Sequence, residues 1–320
     1  MRRRTVLGAA AAGMALAGMR RARAATTLRV MSYNTYFAGG MLEPPAPFER
    51  TIEAIRAAGA DLVGLQEMRA ENPADNGATA IGPSVAPRIA TALGWDLLEQ
   101  DGHPDALWAN AIVSRFPIRG ATPGGLGAAI EVEGRTIHLY NIHLPDAPYQ
   151  PYQLLNIPYG DHPFITTEAE AVRFAQEARG AGTRRLLEDL EAAAGSAAVF
   201  VTGDFNEPSH RDWTARAAAA GRHPIAVRWP TTLALEEAGF VDAYRAVHPD
   251  EIAKPAFTWT PTTRPDDPED HHDRIDFVFA RGPGLVVTDA AIVGESSEVA
   301  EIVVDPWPSD HRAVVAECRF

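Results

Sequence analysis

The sequence predicts a layered α+β domain in which two β-sheets pack face to face and helices cover the outside. Short apolar runs bounded by turn residues recur along the chain, many of them rich in β-branched and aromatic residues, and amphipathic helical stretches lie between them. The runs at Leu28–Tyr33, Asp61–Leu65, Ala109–Ser114, Arg135–Leu144, Ala198–Thr202, Arg274–Ala280 and Arg312–Cys318 read as strands covered on one or both faces. Phe48–Ala58 reads as a helix with Phe48, Ile52 and Ile55 on one face and Pro47 at its start. Glu168–Ala194 is the longest helical stretch, with Gly180 and Gly182 as candidate breaks, and Thr231–Ala238 is a short helix closed by Gly239. Pro145–Thr167 and Thr260–His272 read as long surface excursions, of the length that usually serves function or mobility.

The 320 residues are 46% hydrophobic and 22% charged, an ordinary globular balance. After the N-terminus no apolar run approaches the roughly 20 residues of a membrane-spanning helix. The start of the chain differs from the rest. Arg2-Arg3-Arg4, an apolar stretch from Val6 to about Met19 and Ala22-Arg23-Ala24 have the layout of a cleavable export signal over 1–24. The arginines ahead of Thr5-Val6-Leu7 resemble the signal of the bacterial twin-arginine route. A single domain over 25–320, exported to the periplasm or the medium of a bacterium, is the expectation. Loss of the six arginines in that segment moves the formal charge from −13 to −19. Such an acidic surface disfavours a nucleic-acid backbone as partner, although a bound metal can supply positive charge locally. The one cysteine, Cys318, forbids an intramolecular disulfide and reads as packing. A monomer is expected.

Five segments share a layout in which an apolar strand runs into polar residues. They end in Asn34, in Gln66-Glu67, in Asn141-Ile142-His143, in Gly203-Asp204-Phe205-Asn206 and in Ser309-Asp310-His311. Strand ends can hold several side chains around one point. Carboxylates and amide oxygens suit Mg²⁺, Mn²⁺ or Ca²⁺, and imidazoles suit proton transfer or phosphate binding. The chain carries neither a Cys/His pattern for structural zinc nor a glycine-rich phosphate loop. Each of these residues taken singly would read as a turn or surface residue; the claim rests on the ordered set.

That set, together with Arg274-Ile275-Asp276 and the Asn-Ala-Ile-Val-Ser-Arg-Phe-Pro core of Trp108–Pro117, resembles the endonuclease/exonuclease/phosphatase superfamily from about residue 28 to 319. The resemblance implies one four-layer α/β/β/α sandwich of two packed mixed β-sheets and a divalent-metal-dependent attack of water on phosphorus. It implies that Glu67 is the main metal carboxylate, with Asn34 and Asp310 in or near the coordination shell. Mg²⁺ is the implied ion, with Mn²⁺ or Ca²⁺ as alternatives. Asn206 would contact the scissile phosphate, and Asp204 would position or deprotonate the water. His143 would bind a phosphate oxygen or protonate the leaving group. Asp276 would orient His311, with the choice of base between Asp204 and His311 left open. Asn141, His271, His272 and Asp273 are the candidate substrate-binding residues. No expected catalytic position is replaced, which argues against a binding protein that has lost its chemistry.

The expected substrate is a phosphate mono- or diester of a small or lipid-derived molecule, and a secreted nuclease is the alternative. Neither a Lys/Arg stripe interleaved with aromatics nor a clear apolar docking hairpin is present. The segment holding Tyr149, Tyr152, Tyr159 and Phe164 could serve a lipid surface. Pro145–Thr167 and Thr260–His272, beside His143 and Asp276, are expected to wall the metal site and restrict it to compact substrates.

Overall fold

The computed structural model describes residues 25–75 and 77–320, so the expected export signal at 1–24 lies outside the described residues. Two large sheets form the body. One runs Ile302–Val303, Val286–Gly294, Ala313–Arg319, Thr27–Asn34, Leu62–Gln66, Asn110–Ser114, Asp96–Gln100 in spatial order. The other runs Val241–Asp242, Asp276–Arg281, Val199–Asp204, Arg135–His143, Gly127–Val132, Ile118–Ala121. Parallel pairing of 27–34 with 62–66, and of 135–143 with 199–204, makes both sheets mixed.

The two-residue period of a strand sorts side chains between layers. Leu28, Val30, Leu62, Ile112, Leu139, Phe200, Val278 and Val314 point between the sheets and form a shared buried core. Their alternates Met31, Tyr33, Val63, Leu65 and Val315 face outward onto Ile52 and Ile55 of the Phe48–Ala57 helix and Ile89 of the Ala86–Leu93 helix. On the other side Tyr140, Ile142, Val199, Val201, Phe277 and Phe279 meet Leu186 and Leu235 of the Glu168–Asp189 and Pro230–Glu237 helices. The result is the four-layer α/β/β/α sandwich. Buried Cys318 belongs to the inter-sheet core.

All seven expected strands form, with ends shifted by one or two residues. Four longer strands were not expected: Asp96–Gln100, Ile118–Ala121, Gly127–Val132 and Val286–Gly294. All lie toward sheet edges and carry Asp96, Glu99, Arg119, Glu131 or Asp289, charges that interrupt the apolar signal there. The longest helix is unbroken from Glu168 to Asp189 and ends in a 3₁₀ turn to Ala193. Gly182 does not interrupt it. A β-carbon there would stand 2.1 Å from the Asp105 carbonyl oxygen, so this glycine lets the helix press against the 103–107 turn.

Candidate active site

The inward-facing period continues past the apolar core into polar residues: Leu28, Val30, then Ser32 and Asn34; Ile137, Leu139, then Asn141 and His143; Phe200, then Thr202 and Asp204. One end of the inter-sheet layer is therefore apolar and the other polar. Register brings the polar ends together, with Asn34 opposite Gln66 and Asp204 opposite both His143 and Asp276. Beneath them the sheets approach closely at Gly64, where an added β-carbon would lie 2.0 Å from Thr202 Oγ1 and 2.5 Å from Asn141 Oδ1.

Above this floor the carboxylates and imidazoles converge. Asn34 Nδ2 donates to Glu67 Oε1 at 2.8 Å and to Asp204 Oδ2 at 3.1 Å. His143 Nε2 and His311 Nε2 each stand 3.6 Å from Asp204 Oδ2. His311 Nδ1 lies 2.9 Å from Asp276 Oδ2. Asn206 Nδ2 lies 3.1 Å from His143 Nε2 and donates to the Leu144 carbonyl at 3.0 Å. Ser309 Oγ donates to the Asn34 carbonyl at 2.8 Å, which ties the loop of Asp310 and His311 to the end of the 27–34 strand. Glu67 and Asn206 follow their strands in the left-handed backbone region, at φ 58° and 47°. Such strain in a non-glycine residue persists only where the surroundings enforce it, and it turns both side chains into the cleft.

The electrostatics of the cluster follow from its burial. Burial and then the charge of Asp310 hold Glu67 well above the ordinary carboxylate range. Burial pushes Asp310 up to about 6 against the counter-effect of His311. For His311, burial alone would disfavour the imidazolium, but Asp276 and Asp204 outweigh it and hold its pKa well above the usual value. Glu67 Oε2 is buried without any hydrogen-bond partner. An acceptor oxygen without a donor, beside further carboxylates that repel it, is an arrangement that a divalent cation completes, so the residues fit the metal that the family implies.

These groups end a cleft of about 750 Å³. Its walls carry Tyr36, Trp108, Tyr149, Tyr152, Tyr159 and Trp259, together with Glu71 and Asp146. No Lys or Arg is among the described residues that line it. Pro145–Thr167 does form a wall, but as packed structure with a helix at Gln150–Leu155. Buried Arg179 staples it, donating to Gln150 Oε1 at 2.6 Å and to the Asp146 and Pro148 carbonyls at 3.0 Å. Thr260–His272 is not a second wall. Its Asp270 accepts from Tyr152 Oη at 2.5 Å and Trp259 Nε1 at 3.1 Å, and so buttresses the wall from behind.

The structure brings Asn34, Glu67, His143, Asp204, Asn206, Asp276, Asp310 and His311 to one place. It does not bring the four substrate-binding candidates there. Asn141 is fully buried in the floor, where its Nδ2 donates to the Leu65 and Ala111 carbonyls and to Gln100 Oε1, and its Oδ1 accepts from Gln66 Nε2 at 2.6 Å. Every polar atom is spent on joining the sheets. Asp273 accepts from Tyr149 Oη and Trp213 Nε1, both at 2.8 Å, on the far side of the cleft wall. His271 packs against His223 and Trp213, and His272 meets Thr263 Oγ1 at 2.9 Å. Asn34 is also fully buried, and its amide nitrogen faces the carboxylates, so it positions Glu67. The wall residues Tyr36, Trp108 and Trp259 were not foreseen, because single aromatics in loops carry no pattern.

A two-sheet sandwich with an acidic, histidine-bearing cluster at matched strand ends defines a metal-dependent hydrolase of phosphate esters. The Endonuclease/Exonuclease/phosphatase family profile matches residues 31–311, and the chain belongs to that family. It is 28% identical over 322 aligned positions to an uncharacterized Caenorhabditis elegans protein, F14F9.5, with 92% of this chain and 91% of that one covered. Among solved structures it is similar to an endonuclease/exonuclease/phosphatase from Beutenbergia cavernae, with a TM-score of 0.52 at 19% identity over 92% of this chain and 72% of that one. Humanized D. rerio TDP2 superposes with a TM-score of 0.52 at 18% identity, covering 91% and 98%. An AP endonuclease from Archaeoglobus fulgidus gives 0.51 at 17% identity, covering 90% and 98%. These likenesses show the fold.

Proposed function

We propose that the chain is an exported enzyme, one catalytic domain over 25–320, that hydrolyses phosphate mono- or diesters of small or lipid-derived molecules. The observation that carries this reading is the cleft: aromatic faces and carboxylates line it, and among the described residues no Lys or Arg is there to follow a polyphosphate backbone. Export rests on the sequence of residues 1–24. Among the described residues, no helix is long and apolar enough to cross a membrane.

Glu67 and Asp310 would hold the divalent ion, Mg²⁺ or Mn²⁺, with Asn34 fixing Glu67 in place. When bound, the ion supplies positive charge to the non-bridging phosphate oxygens. Asn206 and His143 hold the phosphate from the other side. His311, kept as imidazolium by Asp276 and Asp204, donates to a phosphate oxygen. Asp204 accepts the proton of the attacking water, whose oxygen bonds to phosphorus as the ester P–O bond breaks. The leaving oxygen takes a proton from His143 or from solvent.

The fold neighbours give the nuclease reading its support, since D. rerio TDP2 is also known with a single-strand DNA product. A direct comparison separates the two readings. Chain 25–320 with Mg²⁺ or Mn²⁺ is offered a chromogenic phosphodiester, the matching monoester and plasmid DNA, with chelator and Glu67→Gln as controls. Chelator-sensitive turnover of a small ester with DNA left intact is expected. Rapid DNA cleavage at the same site would overturn the small-substrate reading and leave a secreted nuclease.

A further inference from the structure

Behind the tyrosine wall lies a second cluster that the proposed chemistry does not use. His223 Nδ1 and His271 Nε2 are 3.2 Å apart, and His271 Nε2 is 3.9 Å from Asp273 Oδ1. One ligand atom from each of the three residues falls within 4.8 Å of the others. We propose that His223, His271 and Asp273 form a second metal site, for a transition cation of the zinc class and distinct from the catalytic centre.

Three observations support it. Two ligand atoms bound to one tetrahedral ion at about 2.0–2.1 Å stand roughly 3.3 Å apart, close to the observed imidazole spacing. Asp273 is buried and receives only neutral donors, from Trp213 Nε1 and Tyr149 Oη. A buried carboxylate without a cationic hydrogen-bond partner is a costly arrangement that a cation relieves. A cavity of about 10 Å³ touches His223 and Asp273, though not His271, and has Arg222 and Arg274 on its other walls; it has room for roughly one water beside these two ligands.

The ligand types select the ion. Two imidazoles and one carboxylate suit zinc-like cations, whereas Mg²⁺ and Ca²⁺ seek oxygen shells such as that of Glu67 and Asp310. The surroundings pre-form the site. Trp213 stacks on His223 at 4.1 Å between ring centres and donates to Asp273. The ion would join two stretches outside regular secondary structure, around residues 223 and 271–273. Through Asp273 and Tyr149 Oη it would also stiffen the wall of the catalytic cleft.

The test is independent of any hydrolytic activity. Chain 25–320, wild type and Glu67→Gln, is dialysed against limiting Zn²⁺ in a large excess of Mg²⁺. Both should retain one Zn²⁺ per chain, and His223→Gln and His271→Gln should bind it at least a hundredfold more weakly. Failure of the wild type to retain Zn²⁺, or equal affinity in both His variants, would overturn the site. Should either variant not fold, X-ray absorption at the zinc edge of a chain carrying His143→Ala and His311→Ala, which leaves the catalytic cluster without an imidazole, decides. A shell of two imidazoles with oxygen ligands supports the proposal, and any shell with fewer imidazoles refutes it.

Discussion

His311 owes its charge to its neighbours. Nδ1 faces Asp276 Oδ2 at 2.9 Å and Nε2 faces Asp204 Oδ2 at 3.6 Å, and together these carboxylates outweigh the burial that would otherwise neutralise the ring. Replacing Asp276 by Asn keeps the shape and removes one charge. The pKa of His311 should fall, and if its imidazolium binds phosphate, the alkaline limb of the rate profile should move to lower pH. A kcat loss of about 100-fold or more at pH 8 is expected, smaller at pH 6. A rising acid limb that moves instead would make His311 the base. Glu67 poses the complementary case, a strained and partly unsatisfied carboxylate whose cost the apo protein carries. Glu67→Gln should therefore raise apo stability by roughly 1 kcal/mol in chemical denaturation while abolishing metal-dependent turnover, a trade of activity for stability.

Among the elements, the central strands are held at the active-site end by amides, where elsewhere they are held by aliphatic packing. Asn141 and Gln66 bridge the sheets over Gly64. Gly64→Ala would drive a methyl into Thr202 and Asn141, so a loss of about 3 kcal/mol is expected from denaturation midpoints. Activity should fall further than the folded fraction, because the floor of the site moves. The loop after Asn206 carries another buried acid, Glu207, which burial raises from 4.5 to about 7 against the pull of Arg179. A carboxyl with a raised folded pKa stabilises most below its unfolded pKa and loses that contribution as pH rises through the folded one. Between pH 4.5 and about 7 the wild type should lose stability relative to Glu207→Gln, by on the order of 3 kcal/mol. Paired denaturation curves at pH 5 and pH 8 measure it; a pH-independent gap would show that Glu207 stays ionised throughout.

For the whole molecule, the proposed metal site would link metal binding to folding through the same carboxylates. The raised pKa values of Asp310, about 6, and of Glu67 mean that the apo fold weakens as pH rises from the ordinary carboxylate range through these values. A cation must displace those protons, so its stabilisation grows with pH. At a hundredfold excess over Kd the gain is about 2.7 kcal/mol, or roughly 5 °C in Tm for a chain of this size. Thermal scans with Mg²⁺ or Mn²⁺ against chelator should show that gap at pH 8 and little of it at pH 5. An equal gap at both would place the ion on groups other than these two.

How much of this was legible beforehand depends on range. The strands at 27–34, 62–66, 135–143 and 199–204 announced themselves through alternation, and the polar residues at their ends through chemistry, because a strand's period assigns both to one face without knowledge of its partners. Edge strands were missed where charge masks the period. The sequence by itself determined the layered fold class, the family and the eight residues that converge at the polar strand ends, six of which line the cleft, since all of these reside in local pattern and ordered motif. Only the tertiary structure decided what a polar residue beside the site does. Asn141 lies two positions from His143 on the same face, yet one joins the sheets and the other reaches the cleft. Asp273 lies three from Asp276, yet their carboxylates serve opposite sides of a wall. Depth and direction come from inter-sheet contacts between residues far apart in the chain, and these no local pattern encodes.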